Sequence, residues 1–202
     1  MSANTQSGAG STGWTPANAA PLGLGAFGVT TLYLSLVNAN LINSADLTGV
    51  IVVAFAYGGI VQLLAGMWEF RAGNTFGAVA FSTYGGFWIS VFLLVQLEAG
   101  GLIKAGAFPS AFGAYLWCWT AITVGLTLCT FASARALSLL FIVLSITFIL
   151  LAIGNSGSST NTIHIGGYFG IATAALAIYI AIAEVMKAVY GRWVLPIGAP
   201  AE

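Results

Sequence analysis

Residues 136–154 read ALSLLFIVLSITFILLAIG, a stretch with no charge and no proline between Arg135 and Asn155. A hydrocarbon layer roughly 30 Å thick needs about 20 apolar residues of helix, because a spanning backbone must satisfy its own hydrogen bonds. The stretch has that length and shows no polar–apolar alternation, so it reads as a transmembrane helix and not as a barrel strand. Five more blocks of the same kind flank it: Pro21–Ile42, Leu47–Trp68, Phe76–Leu97, Phe108–Phe131 and Ile163–Ala183. Together they predict an all-α integral membrane protein with six transmembrane helices in one domain over residues 21–190.

Composition agrees. The 202 residues are 59% hydrophobic and hold only five basic and five acidic side chains, nearly all at the joints between blocks. A mean hydropathy of +0.98 suits a bilayer solvent better than a water-soluble core of this size. With the N-terminus inside, Arg71, Arg135, Lys187 and Arg192 fall on the cytoplasmic side and Lys104 alone falls outside. The positive-inside bias therefore predicts cytosolic termini on a multi-pass protein of the cytoplasmic membrane. Residues 1–20, rich in Gly, Ser, Thr, Asn and Ala, read as a disordered cytosolic tail, and residues 191–202 as a cytosolic C-terminal tail.

Several classes of function are disfavoured. A formal net charge of zero argues against nucleic acid. Cys118 and Cys129 sit eleven positions apart in one helix, about 16 Å along its axis, so they do not bridge each other. Neither they nor the single histidine, His164, form a metal-ligand spacing, and no phosphate loop is present, so no metal and no cofactor is expected. No nucleophile–base pair recurs within the spans, which disfavours an enzyme.

Polar residues inside the blocks carry more information, since each is costly in hydrocarbon and tends to face a bundle interior or a wet path. In the second block Gly58, Gln62, Ala65 and Glu69 share one face, a stripe of small or polar residues. In the third, Gly77, Phe81, Tyr84 and Trp88 align, with the Tyr84 hydroxyl at mid-span in need of a partner. In the fifth, Leu144, Phe148, Leu151 and Asn155 align; in the first, Phe27 lies one turn before Thr31, with Thr30 beside it. Packing and a pathway lining both produce such stripes, and spacing alone leaves the two open for Phe27, Tyr84 and Leu144. For Gln62, helix–helix adhesion competes with substrate contact. Glu69 reads either as an interfacial partner of Arg71 or as a proton-exchanging carboxylate at a pathway mouth, and His164 either as inert or as a sensor of external pH. Glu184 and Lys187, three apart on the last turns, predict an i,i+3 ion pair.

Specific strings point further. Asn18-Ala19-Ala20-Pro21-Leu22-Gly23-Leu24 resembles the N-P-A-P-L-G-L signature of the acetate uptake transporter family, which includes bacterial acetate/succinate:proton symporters. The resemblance continues through Tyr57-Gly58-Gly59-Ile60, Gln62, Ala65-Gly66, Glu69, Gly73-Asn74-Thr75-Phe76-Gly77 and Ser82-Thr83-Tyr84-Gly85. It then takes in Phe87-Trp88, Ala134-Arg135, Leu151-Ala152-Ile153-Gly154-Asn155, His164 and Val194-Leu195-Pro196-Ile197-Gly198. Every block but the fourth is covered. One departure is Ala19, which stands where the signature has its first proline and so leaves one φ angle free ahead of the first helix.

The resemblance implies a homo-hexameric ring of six-helix protomers in membrane lipid, each with its own pathway narrowed by Phe27, Tyr84 and Leu144. It implies transport of acetate and other short-chain monocarboxylates, with succinate a further candidate, coupled to protons; a passive channel for small neutral solutes or undissociated weak acids is the alternative. On this reading Thr30, Thr31, Gln62, Asn74 and Asn155 contact the substrate along the pathway, and Glu69 and His164 handle the proton.

Overall fold

A computed structural model describes residues 14, 16–43, 47–104 and 106–198. Six long helices account for most of them: α1 Ala20–Asn38, α2 Leu47–Ala72, α3 Thr75–Ala99, α4 Phe108–Thr130, α5 Arg135–Ser156 and α6 Thr160–Tyr190. Each helix takes in all or most of one expected block, and no strand occurs among the described residues. Large apolar side chains such as Val52, Leu64, Leu128, Ile153 and Val189 face outward, while Thr30, Gln62, Thr123, Thr130 and Thr173 are wholly enclosed. That inversion is what a lipid solvent demands of a bundle. The chain is a multi-pass membrane protein.

Two ends differ from the sequence expectation. The first block was expected to reach Ile42, but α1 stops at Asn38 and Asn40 takes a left-handed φ of 57° that ends the helix. The last block was expected to stop at Ala183, whereas α6 runs 31 residues, about 46 Å, and overshoots the hydrocarbon thickness. Its surplus turns carry Glu184 and Lys187.

The middle of α2, Ala54–Val61, is wound as a π-helix, a wider turn that periodicity did not anticipate. Close approach explains where it lies. A Cβ on Gly58 would sit 2.7 Å from Thr30 Oγ1 of α1, and one on Gly59 would sit 2.7 Å from Ile89 Cγ1 of α3, so α2 is wedged between two neighbours at this point. The polar stripe survives the change of winding, with Gly58, Gln62, Ala65 and Glu69 all buried.

Turns and caps follow from local chemistry. Gly73, at φ 79°, closes α2 in the left-handed conformation, and the side chain of Asn74 accepts the amide of Gly77 at 3.1 Å to start α3. Ala19 offers α1 no side-chain cap; Asn18 Oδ1 accepts the Ala20 amide at 3.0 Å instead. The amides of Arg135 and Ala136 at the start of α5 donate to the carbonyls of Gly198 and Ile197, each at 3.0 Å. The C-terminal segment thus satisfies donors that a helix start leaves orphaned.

α1 packs most extensively on α6, α4 on α5, α5 on α6 and α2 on α3, whereas α3 and α4 stand further apart and meet through long side chains such as Phe87, Tyr115 and Trp119. Thr120, Thr123, Thr127 and Thr130 form a buried row on α4, and the hydroxyls of Thr127 and of Ser145 on α5 share a 2.8 Å hydrogen bond. Hydroxyl bonds of this kind hold helices together where lipid offers no hydrophobic drive. Cys118 and Cys129 are free and exposed on the outer surface of the same helix.

Of the expected tails, residues 1–13, 15 and 199–202 lie outside the described residues. Trp14 meets Trp68 edge-on at 5.9 Å, beneath the Arg71 guanidinium at 5.8 Å from its ring. Asn18 reaches Glu184 of α6.

Candidate functional site

Two cavities lie end to end in the bundle. The first, about 230 Å³, includes Asn18, Gln62, Asn74, Tyr84 and Glu184 in its walls; the second, about 180 Å³, includes Thr31, Asn38, Trp88 and Asn155. Phe27 and Leu144 are the two residues that border both. They form the partition, and Tyr84 closes it from the first-cavity side.

The partition is buried and closely packed. Phe27, Tyr84 and Leu144 are each 5% exposed or less. The Phe27 and Tyr84 rings stand 5.4 Å apart with planes at 50°, and Tyr84 lies 6.4 Å from Phe148 in a near-parallel stack and 6.3 Å from Phe141. Such offset aromatic contacts hold rings in place beyond what area burial alone supplies. The Tyr84 hydroxyl donates to Thr123 Oγ1 of α4 at 3.0 Å.

Residues that border the cavities, by contrast, carry buried polar atoms with no partner in the protein. In the first these are both amide atoms of Gln62; in the second, Trp88 Nε1 and Thr31 Oγ1. Gln62 is fully enclosed, and burying an unbonded amide costs about 1–3 kcal/mol, so a ligand that answers it recovers that cost.

Two carboxylates stand at the first cavity. Glu69, 2% exposed, accepts from Asn74 Nδ2 at 2.5 Å and lies just behind the wall that Asn74 and Gly77 form. A Cβ on Gly77 would come within 2.8 Å of its Oε2, so glycine is required there. Glu184 is part of the wall itself and accepts from Asn18 Nδ2 at 3.2 Å. Glu184 also lies within the electrostatic reach of Lys187, three residues on, whose ammonium sits 4.3 Å from the centroid of the Trp193 ring. A cation over an indole face gains electrostatic energy there.

The remaining sequence candidates are spread out. Thr31 and Asn155 border the second cavity, where Asn155 Nδ2 donates to the Leu151 carbonyl at 2.8 Å. Thr30 borders neither; its hydroxyl donates to the Ala26 carbonyl at 2.9 Å and packs on Gly58. His164 is half-buried beside Ile163, which borders the second cavity, without being part of the wall. Among the described residues no three of His, Cys, Asp and Glu gather as a metal site would require.

Sequence reasoning did not single out Asn18, Trp88, Thr123 or Glu184 for the site. Trp88 was legible as the next turn of the Tyr84 stripe, and Thr123 as one of four threonines at helical spacing in an otherwise apolar block. The contacts of Asn18 and Glu184 join opposite ends of the chain and leave no local signal. Chemically, the arrangement is a pair of small chambers with hydrogen-bonding groups on their walls, parted by an apolar waist. It suits the passage of a compact solute with one polar end.

The sequence model of the GPR1/FUN34/yaaH family matches residues 6–196. The chain is 42% identical over 185 residues to the succinate-acetate/proton symporter SatP of Escherichia coli strain K12, covering 90% of this chain and 95% of that protein. It is 40% identical over 199 residues to acetate permease A of Emericella nidulans, covering 90% of this chain and 65% of that one. The solved structure of the bacterial acetate channel SatP superposes with a TM-score of 0.86 at 39% identity, covering 91% of this chain and 100% of the other. A match along almost the whole sequence and a shared backbone agree, and the chain belongs to the GPR1/FUN34/yaaH family.

Proposed function

We propose that this protein carries acetate and other short monocarboxylates across the cytoplasmic membrane through the waist made by Phe27, Tyr84 and Leu144. The observation that carries the reading is that Phe27 and Leu144 border both chambers, so a solute passing from one to the other crosses between them. Relatives named a succinate-acetate/proton symporter and an acetate permease supply the substrate class. Acetate has one carboxyl to satisfy and one methyl to hide. Gln62 and Asn74 meet the carboxyl in the first chamber, Thr31, Trp88 and Asn155 meet it in the second, and the waist accepts the methyl. Succinate must be stripped of water at two carboxyls instead of one, and passes less readily.

A bare carboxylate crosses an apolar waist only at a large cost, which favours movement together with a proton. Glu69 exchanges that proton at the first chamber, on the cytosolic side with both termini, and His164 does so near the second. Six copies assemble as a ring in which each protomer keeps its own path; the apolar outer faces of the helices supply area for neighbouring copies and for lipid.

Proteoliposomes test this directly. Labelled acetate should accumulate faster at a fixed total acetate gradient when an inward proton gradient is imposed. A rate that follows only the abundance of undissociated acid removes the symport reading and leaves a passive channel. No protein-dependent uptake under any gradient removes both.

A further inference from the structure

We propose that residues 192–198 form a strap that gates the first chamber: Ile197 seats in the chamber wall as a plug, and the strap lifts to let a solute pass that end. This rests on the transport reading above and names the moving part at the end of the chamber remote from the waist.

That end is ringed by helix termini. Asn18 stands two residues ahead of α1, Asn74 and Ala134 directly precede α3 and α5, Glu184 lies in the last two turns of α6, and Ile197 completes the wall. The first four sit on, or next to, a long helix packed into the bundle. Ile197 belongs instead to the segment beyond α6, which turns at Gly191 with a φ of 70° and folds back onto the start of α5.

The strap is lightly held. The amides of Arg135 and Ala136 donate to the carbonyls of Gly198 and Ile197 at 3.0 Å, the Tyr179 hydroxyl donates to the Pro196 carbonyl at 2.8 Å, and Trp193 lies under the Lys187 ammonium. The two amides are first-turn donors of a helix, which water satisfies as well, and the Tyr179 bond is exposed. Of residues 192–198 only Ile197 is buried, at 7% exposure. A segment with surface hydrogen bonds and a single buried side chain opens far more readily than the bundle it lies on.

What opening uncovers is the chamber, because that one buried side chain is the one in its wall. A mere cap for α5 needs the carbonyls of Ile197 and Gly198 and makes no use of a side chain there. Only the lifted form conducts, so uptake scales with the lifted fraction.

A reversible lock tests this. A Cβ on Gly198 would stand 3.0 Å from Arg135 Cβ, so a small shift brings a pair of thiols at these positions to disulfide separation. The Arg135→Cys/Gly198→Cys pair is placed in a protein freed of its own thiols by Cys118→Ala and Cys129→Ala. Acetate uptake into proteoliposomes is measured oxidised and after dithiothreitol, with the cross-linked fraction read by mass spectrometry. Uptake should fall about tenfold when cross-linking is about nine-tenths complete, and return on reduction, since only unlocked copies conduct. Tyr179→Phe keeps the ring and drops one bond to the strap; uptake should rise about fivefold, the value of one neutral hydrogen bond.

A cross-linked protein that transports at its reduced rate overturns the proposal while leaving acetate transport intact. Should the cross-link not form, or the pair not fold, Tyr179→Phe decides: raised uptake upholds the gate, and unchanged or lowered uptake overturns it. A natural protein that moves no acetate at all overturns the transport reading, and this inference with it.

Discussion

Asn18 and Glu184, 166 positions apart, join the first and last helices: Asn18 Nδ2 donates to Glu184 Oε2 at 3.2 Å while its own Oδ1 holds the amide of Ala20. One side chain thus starts α1 and orients a carboxylate on the wall of the first chamber. The segment before α1 forms part of the chamber wall. Asn18→Ala should lower acetate uptake about fivefold, in line with one lost hydrogen bond, and Asn18→Asp should lower it more, because a second carboxylate beside Glu184 repels it. Initial uptake rates in proteoliposomes at equal protein content check both.

Leu144 is 3% exposed and borders both chambers, so its truncation joins two existing spaces. Leu144→Ala should cost about 2–3 kcal/mol, the lower part of the range for buried Leu→Ala, and should raise uptake of three- and four-carbon carboxylates relative to acetate. Competition of unlabelled lactate and succinate against labelled acetate measures the change. Unaltered selectivity in a folded variant assigns Leu144 to packing alone.

Gln62 is fully buried with neither amide atom bonded to the protein. Gln62→Leu has nearly the same volume and removes the buried polar group. Thermal stability in detergent should therefore hold or rise, by up to about 1–3 kcal/mol, while acetate affinity falls about tenfold. A residue that served only as helix glue would show the opposite pattern, with stability lost and affinity kept.

Gly58 lets α2 lie against Thr30. An added methyl would stand 2.7 Å from Thr30 Oγ1, and Thr30 is enclosed and tied to the Ala26 carbonyl, so it has nowhere to go. Gly58→Ala should destabilise the fold by about 1–3 kcal/mol despite alanine's better helix propensity. A lowered unfolding temperature with reduced expression is the expected result; unchanged stability means that α1 and α2 slide apart at no cost.

Much of the site was legible because it lay on single helices. Gln62 and Glu69 share a face of α2, Leu144 and Asn155 a face of α5, and a period near 3.6 is enough to place such pairs together. The π-helical turn at Ala54–Val61 was not legible, since it answers to Thr30 and Ile89 on other helices and not to its own residues. For the same reason Thr30, chosen as a pathway residue beside Phe27, turned out to face Gly58. The i,i+3 rule proposed Lys187 for Glu184; it carried no sign that Lys187 also lies over a tryptophan beyond the helix end, or that Glu184 also accepts from an asparagine before the first helix.

Six spans, their membrane setting and the polar faces within them are written along the chain, because the cost of exposing backbone and charge to hydrocarbon acts on each segment separately. The meeting of Phe27 with Leu144 between two chambers, and the direction of the Tyr84 proton, exist only once the helices are packed. Both depend on which distant side chain fills the remaining space or accepts the last unpaired hydrogen, and no spacing within one segment carries that information.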